Sequence, residues 1–84
     1  MSKHLKALAR LQAKPVPVDV KWDELKGVLE HLGYQMLKNS GSRRKFVHTT
    51  TKALIICHEP HPSPNVDKGC IVDVVAHLEA NDFL

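Results

Sequence analysis

Acidic residues are missing from the middle of this 84-residue chain: between His31 and His58 every charge is positive, on Lys38, Arg43, Arg44, Lys45 and Lys52. No apolar run approaches the roughly 20 residues needed to span a bilayer, which excludes a transmembrane helix. Met1–Lys14 is too polar for a secretory signal. The expected setting is therefore cytoplasmic, with no membrane partner. Cysteine is represented only by Cys57 and Cys70, which would be reduced there, and the apolar run around Cys57 assigns it to core packing. Aromatics are scarce, and the only tryptophan, Trp22, lies on an apolar stripe that suits the core better than base stacking. A Gly-rich phosphate loop, a paired-carboxylate arrangement and a nucleophile triad are also lacking.

What is present is a single small domain. A chain of this length buries only about 60% of the surface its unfolded form exposes, so a partner could add stability. The apolar fraction of 43% suffices for a core and argues against disorder. The net charge of +3 is a weak signal taken alone, since many proteins carry such an excess for solubility. Its concentration in one stretch says more: either a solvated basic hairpin or a phosphate-binding surface.

Residues 1–20 read as an extension. Leu5, Leu8 and Ala9 lie at helical spacing within Lys3–Ala13, and Pro15 and Pro17 then mark a linker, since proline forbids continued helix. The domain proper occupies 21–84. Trp22, Leu25, Val28, Leu29 and Leu32 recur at steps of three and four, with Asp23 and Glu24 in the first turn and Gly33 closing the helix. Lys21, at the expected N-cap, lacks an acceptor oxygen.

Three strands are expected next, Tyr34–Asn39, Arg43–His48 and Ala53–His58, separated by Ser40-Gly41-Ser42 and by Thr49–Lys52. Strand alternation puts Arg44 and His48 on the side of Phe46, with Arg43 and Lys45 on the other, so the open face is expected to carry the charge. Pro60, Pro62 and Pro64 make a stiff loop, and Ile71, Val74, Val75 and Leu78 give a last amphipathic helix ending near Ala80. The fold class is α+β, α-β-β-β-α after a helical extension, with both helices on one face of a three-stranded antiparallel sheet.

Several residues could carry chemistry. Gly41–His48, GSRRKFVH, delivers three consecutive cations from a turn onto a strand, where Arg grips phosphate bidentately and Lys supplies a point charge. In HEPHP, His58 and His61 stand beside a proline-stiffened loop, and an imidazole can take and return a proton near neutral pH, as cleavage of RNA by its own 2′-hydroxyl requires. The plainer reading is polar filler in a surface loop. His48 shares parity with Phe46, so a hydrogen-bonded role at the core edge competes with a place beside the arginines. Cys57, His58, His61 and Cys70 offer zinc-binding atoms, but their spacing is not that of a finger or ribbon, and adjacent strand residues point apart. No metal or other cofactor is expected.

WDELKGVLEHLGY, GSRRKFVH, HPSPNV and the final apolar stripe occur in an order that resembles the HicA family, toxins of bacterial HicA–HicB toxin–antitoxin pairs. The resemblance runs from Lys21 to about Ala80. It implies a fold like a double-stranded RNA-binding domain, binding of mRNA, metal-independent endoribonuclease cleavage, and neutralisation by a HicB-type antitoxin. It carries over Gly41, Ser42 and Arg43 as the hairpin motif and His61 as the downstream His-Pro position. The family pattern has a histidine, taken as catalytic, where this chain has Arg43; an arginine stays protonated but can stabilise a pentacoordinate phosphorane. The expected catalytic set is Arg43 with His48 or His61 in place of that histidine, and the expected RNA-binding set is Lys38, Ser42, Arg43, Arg44, Lys45 and Lys52. A binding module of the same fold that has lost the base is the alternative.

Overall fold

A computed structural model describes residues 3–38, 41–60 and 63–84. Its elements are α1 (Lys3–Leu11), α2 (Trp22–His31), β1 (Tyr34–Lys38), β2 (Arg43–His48), β3 (Leu54–His58) and α3 (Lys68–Ala80). The strands form one antiparallel sheet in the order β1-β2-β3. The α+β class and the α-β-β-β-α order follow the sequence pattern element by element. Among the described residues, no helix is long and apolar enough to cross a membrane.

The core forms where the apolar stripes of α2 and α3 meet one face of the sheet. Leu25, Val28 and Leu29 from α2 and Ile71, Val74 and Leu78 from α3 are buried together with Tyr34, Phe46 and Cys57. Trp22 packs on Phe46 with ring centroids 5.9 Å apart, as its place on the stripe implies. Truncating a buried phenylalanine typically costs about 3–5 kcal/mol. Phe46, fully buried at the centre of the middle strand, is the position where that cost falls on the whole layer.

The start of α2 is better secured than its sequence suggests. Lys21 offers no side-chain acceptor, but Glu24 reaches back to the Lys21 backbone N–H at 3.3 Å, and the carbonyl of Pro64 accepts the Trp22 N–H at 2.9 Å. Capping thus comes from three residues inside the helix and from the proline-containing segment, which also pairs Lys21 with Asn65. A residue of the first turn and one distant segment together supply what the N-cap residue lacks.

Residues of the extension join the same core. Leu11 and Val20 are buried, and Arg10 donates to Glu24 at 2.7 Å and to Asp19 at 2.6 Å, fastening α1 to α2. At the other end of α2, Gly33 adopts φ +104°, the left-handed conformation that ends a helix and that side chains disfavour. The chain then turns directly into β1.

Candidate functional site

The basic stretch lies on β2 and the turn before it, and strand alternation divides it between two faces. Phe46 and His48 are buried on the helix side, and Arg44 is directed to that side with them. Arg43, Lys45 and Val47 project from the open face. Gly41, at φ +60°, supplies the left-handed residue of the turn.

Arg44 braces this turn. Its Nε donates to Glu59 Oε1 at 3.1 Å, and its Nη1 donates to the carbonyls of Gly41 at 2.8 Å and Arg43 at 2.9 Å. The Glu59 N–H donates to the Ser42 carbonyl at 2.8 Å. A shallow cavity of about 280 Å³ opens here, lined by Gly41, Ser42, Arg44, Glu59 and Pro60. One guanidinium thus ties the Gly41–Arg43 turn to the end of β3, with its charge partly balanced by a carboxylate.

Across the ladder, Arg43 is paired with His58. Because the Glu59 N–H bonds to the Ser42 carbonyl, Arg43 and His58 form a non-hydrogen-bonded pair, the geometry in which opposed Cα atoms are about 4.5 Å apart and side chains lie closest. Both are exposed, on the same open face. A fixed cation and an imidazole therefore stand side by side next to the turn.

His48 occupies the core-edge position that parity allowed. It is 7% exposed, and its ring is fully used: Nδ1 accepts the N–H groups of Thr50 at 3.2 Å and Thr51 at 3.1 Å, while Nε2 donates to the Leu32 carbonyl at 2.8 Å. This pattern fixes the tautomer with hydrogen on Nε2 and leaves no ring nitrogen to take a proton from a substrate. His48 closes the β2–β3 turn and links it to the end of α2.

The remaining expected site residues are scattered. Lys52 sits in the turn at the other end of β2, which spans roughly 17 Å from Arg43 to His48, and donates to the Thr49 carbonyl at 3.1 Å. The backbone of Lys38 pairs opposite Arg44. His61 lies outside the described residues. Cys57 and His58 face opposite sides of the sheet, so the four potential zinc ligands do not converge from that strand.

The open face carries Arg43 and Lys45, as strand alternation implies, and aliphatic side chains beside them. Leu37, Leu54 and Ile56 are 44%, 49% and 39% exposed there, and Val47 lies on β2 between Gln35 and Leu54. The reason is register, since β1 and β3 each present an apolar residue next to Lys45, Leu37 on one side and Ile56 on the other. Arg43 and His58 stand at the end nearest the Gly41 turn, and Lys45 lies further along, between Leu37 and Ile56. His58, which sequence reasoning left as one of two loop histidines, is the residue that register promotes.

Comparison with protein families matches residues 22–79 to the model described as HicA toxin of bacterial toxin–antitoxin. That span contains α2, the sheet and nearly all of α3, and leaves α1 and its linker outside. No curated protein and no solved structure gives a significant match.

Proposed function

Since the chain belongs to the HicA toxin family of bacterial toxin–antitoxin systems, we propose that it is an mRNA-binding endoribonuclease restrained by a HicB-type antitoxin. The observation that carries this reading is the exposed Arg43–His58 pair beside the Gly41–Ser42 turn. RNA carries at each linkage a phosphate, which Arg43 and Lys45 can hold, and a 2′-hydroxyl, from which an imidazole can remove the proton. Attack of that oxygen on phosphorus breaks the bond to the 5′-oxygen and leaves a 2′,3′-cyclic phosphate. Arg43 braces the negative charge of the phosphorane, and His58 takes the 2′-hydroxyl proton and returns a proton to the departing 5′-oxygen, which leaves as a 5′-hydroxyl.

In this reading Arg43 keeps the electrostatic part of the chemistry at the motif position, and the acid–base part passes to the neighbouring strand. His61, three residues after His58, is the alternative proton carrier from the same segment. Arg44 acts by positioning the turn, while Ser42, Lys38 and Lys52 extend the contact to further phosphates. His48 supports the hairpin and does not touch the substrate.

The test is to incubate the purified protein with a long mRNA in EDTA and analyse the new ends. Fragments with 2′,3′-cyclic phosphate and 5′-hydroxyl termini are expected. RNA that stays intact while binding it in a salt-sensitive way identifies a binding module that has lost the chemistry.

A further inference from the structure

We propose that Cys57 and Cys70, the chain's only cysteines, form an oxidation site: a hydroperoxide reacts at Cys70, and Cys57 then closes the pair into a disulfide between β3 and α3. The site lies on the helix side of β3, opposite the face assigned to RNA.

Strand alternation and the packing of α3 bring the two thiols together. On β3 the exposed Ile56 and His58 flank Cys57, which is 2% exposed and turns to the helix side. Cys70 is the third residue of α3, a helix that packs against β3, and lies one turn before the buried Val74. Both thiols line one cavity of about 310 Å³, between the end of β3 and the first turn of α3. Within it the Cys57 thiol donates a hydrogen bond to Cys70 Sγ.

The two sulfurs are unequal. Cys70 is partly exposed and stands in the first turn of its helix, where the dipole favours a thiolate. The hydrogen bond from Cys57 lowers its pKa, against the opposing effects of burial, Asp73 and Asp67. Cys57 is held as the thiol, its pKa raised by the same hydrogen bond, by burial and by the charges of Cys70 and Asp73. An accessible thiolate thus stands before a sequestered thiol, so the first is oxidised and the second resolves it.

The chemistry needs only the peroxide. The Cys70 thiolate attacks one oxygen of hydrogen peroxide, the O–O bond breaks, and the other oxygen leaves as hydroxide, which takes a proton from solvent to become water. Cys70 is then a neutral sulfenic acid, and the largest influence holding the proton on Cys57 is gone. Cys57 attacks the Cys70 sulfur, the S–O bond breaks, and the departing hydroxide takes the Cys57 proton as a second water. Two thiols have lost two electrons and one peroxide has gained them.

The bond closes a loop around residues 58–69. That segment holds His58, Glu59 with its bond to Arg44, and Pro64, whose carbonyl accepts the Trp22 N–H at the start of α2. Joining its ends removes conformations from the unfolded chain, so oxidation stabilises the fold.

The experiment treats the full-length protein with equimolar hydrogen peroxide, blocks the remaining thiols with N-ethylmaleimide in denaturant, and maps the peptides by mass spectrometry. An intramolecular Cys57–Cys70 cross-link is expected, reversed by dithiothreitol, with a melting temperature about 10 °C or more above that of the reduced protein. Cys57→Ser should stop at a Cys70 sulfenic acid that dimedone traps, whereas Cys70→Ser should leave Cys57 unmodified. Two thiols in wild type that still take up N-ethylmaleimide after peroxide would overturn the site, as would a cross-link found only between the Cys70 residues of two chains. The wild-type map decides this even where Cys57→Ser fails to fold. A cross-linked protein that melts no higher than the reduced one would overturn the stabilising effect.

Discussion

Gly33 is the only residue that fits beneath the His48 ring: a methyl group there would lie 2.7 Å from His48 Nε2, inside contact distance. The same glycine holds φ +104°, so two independent costs meet at one position. Gly33→Ala is expected to destabilise the fold by about 1–3 kcal/mol in urea unfolding. In a His48→Ala background the same change should cost less, because only the backbone penalty remains; additive effects would show that the two residues are not coupled.

His48→Ala alone should lower stability by about 1–3 kcal/mol, since the Leu32 carbonyl and the Thr50 and Thr51 N–H groups lose their shared partner. RNA binding per folded molecule should stay near the wild-type level. A fully stable His48→Ala protein that has lost cleavage would instead make His48 a participant in the chemistry.

Stability should fall as the solution is acidified below about pH 6.5. His77, paired with the Tyr34 hydroxyl at 2.7 Å, has its pKa lowered from the ordinary 6.5 by burial. The unfolded chain then takes up a proton at this site before the folded one does. Above pH 6.5 both states are neutral there and the site contributes no pH dependence; below it, protons favour the unfolded state until the folded His77 also titrates. His77→Gln should flatten the corresponding part of a melting-temperature profile between pH 7.5 and 5.

The attachment of α1 should depend on Leu11 more than on Arg10. Leu11 is buried, and Leu11→Ala is expected to cost about 2–5 kcal/mol. The Arg10 side chain is 39% exposed, so its ion pairs with Asp19 and Glu24 are weakened by solvent, and Arg10→Ala should cost under about 1 kcal/mol. Chemical denaturation of the two variants side by side ranks them.

For RNA binding, Arg43→Ala and Lys45→Ala should each reduce the slope of log K against log salt by roughly 0.7–0.9, the release expected for one lost phosphate contact. Arg44→Ala should change that slope less and stability more, because its guanidinium already serves Glu59 and two turn carbonyls. Filter binding across a salt series distinguishes the three.

The elements were legible in the sequence because their signals are local: the three-and-four spacing from Trp22 to Leu32, the Gly41 turn, and parity within Arg43–His48. Parity placed Arg44 on the helix side and allowed His48 the core edge it occupies. What stayed hidden depends on pairing between segments. The cap of α2 comes from Glu24 and from Pro64, 42 positions after the helix start at Trp22. The aliphatic open face and the Arg43–His58 pair both follow from register, which the loop at Thr49–Lys52, with Lys52 at φ +65°, sets through its own length and conformation. Slipping that register by one residue would put Cys57 opposite Arg43 and His58 on the core side.

The role of the Arg43–His58 pair is measured most directly by the single-turnover rate of mRNA cleavage in EDTA by wild type, His58→Ala and Arg43→Ala proteins matched for folding. Cleavage by wild type is expected, with a loss of about 10²–10⁴ in His58→Ala and of about 10²–10³ in Arg43→Ala. A His58→Ala protein that cleaves as fast as wild type would contradict that role, by showing that the histidine beside Arg43 moves no proton.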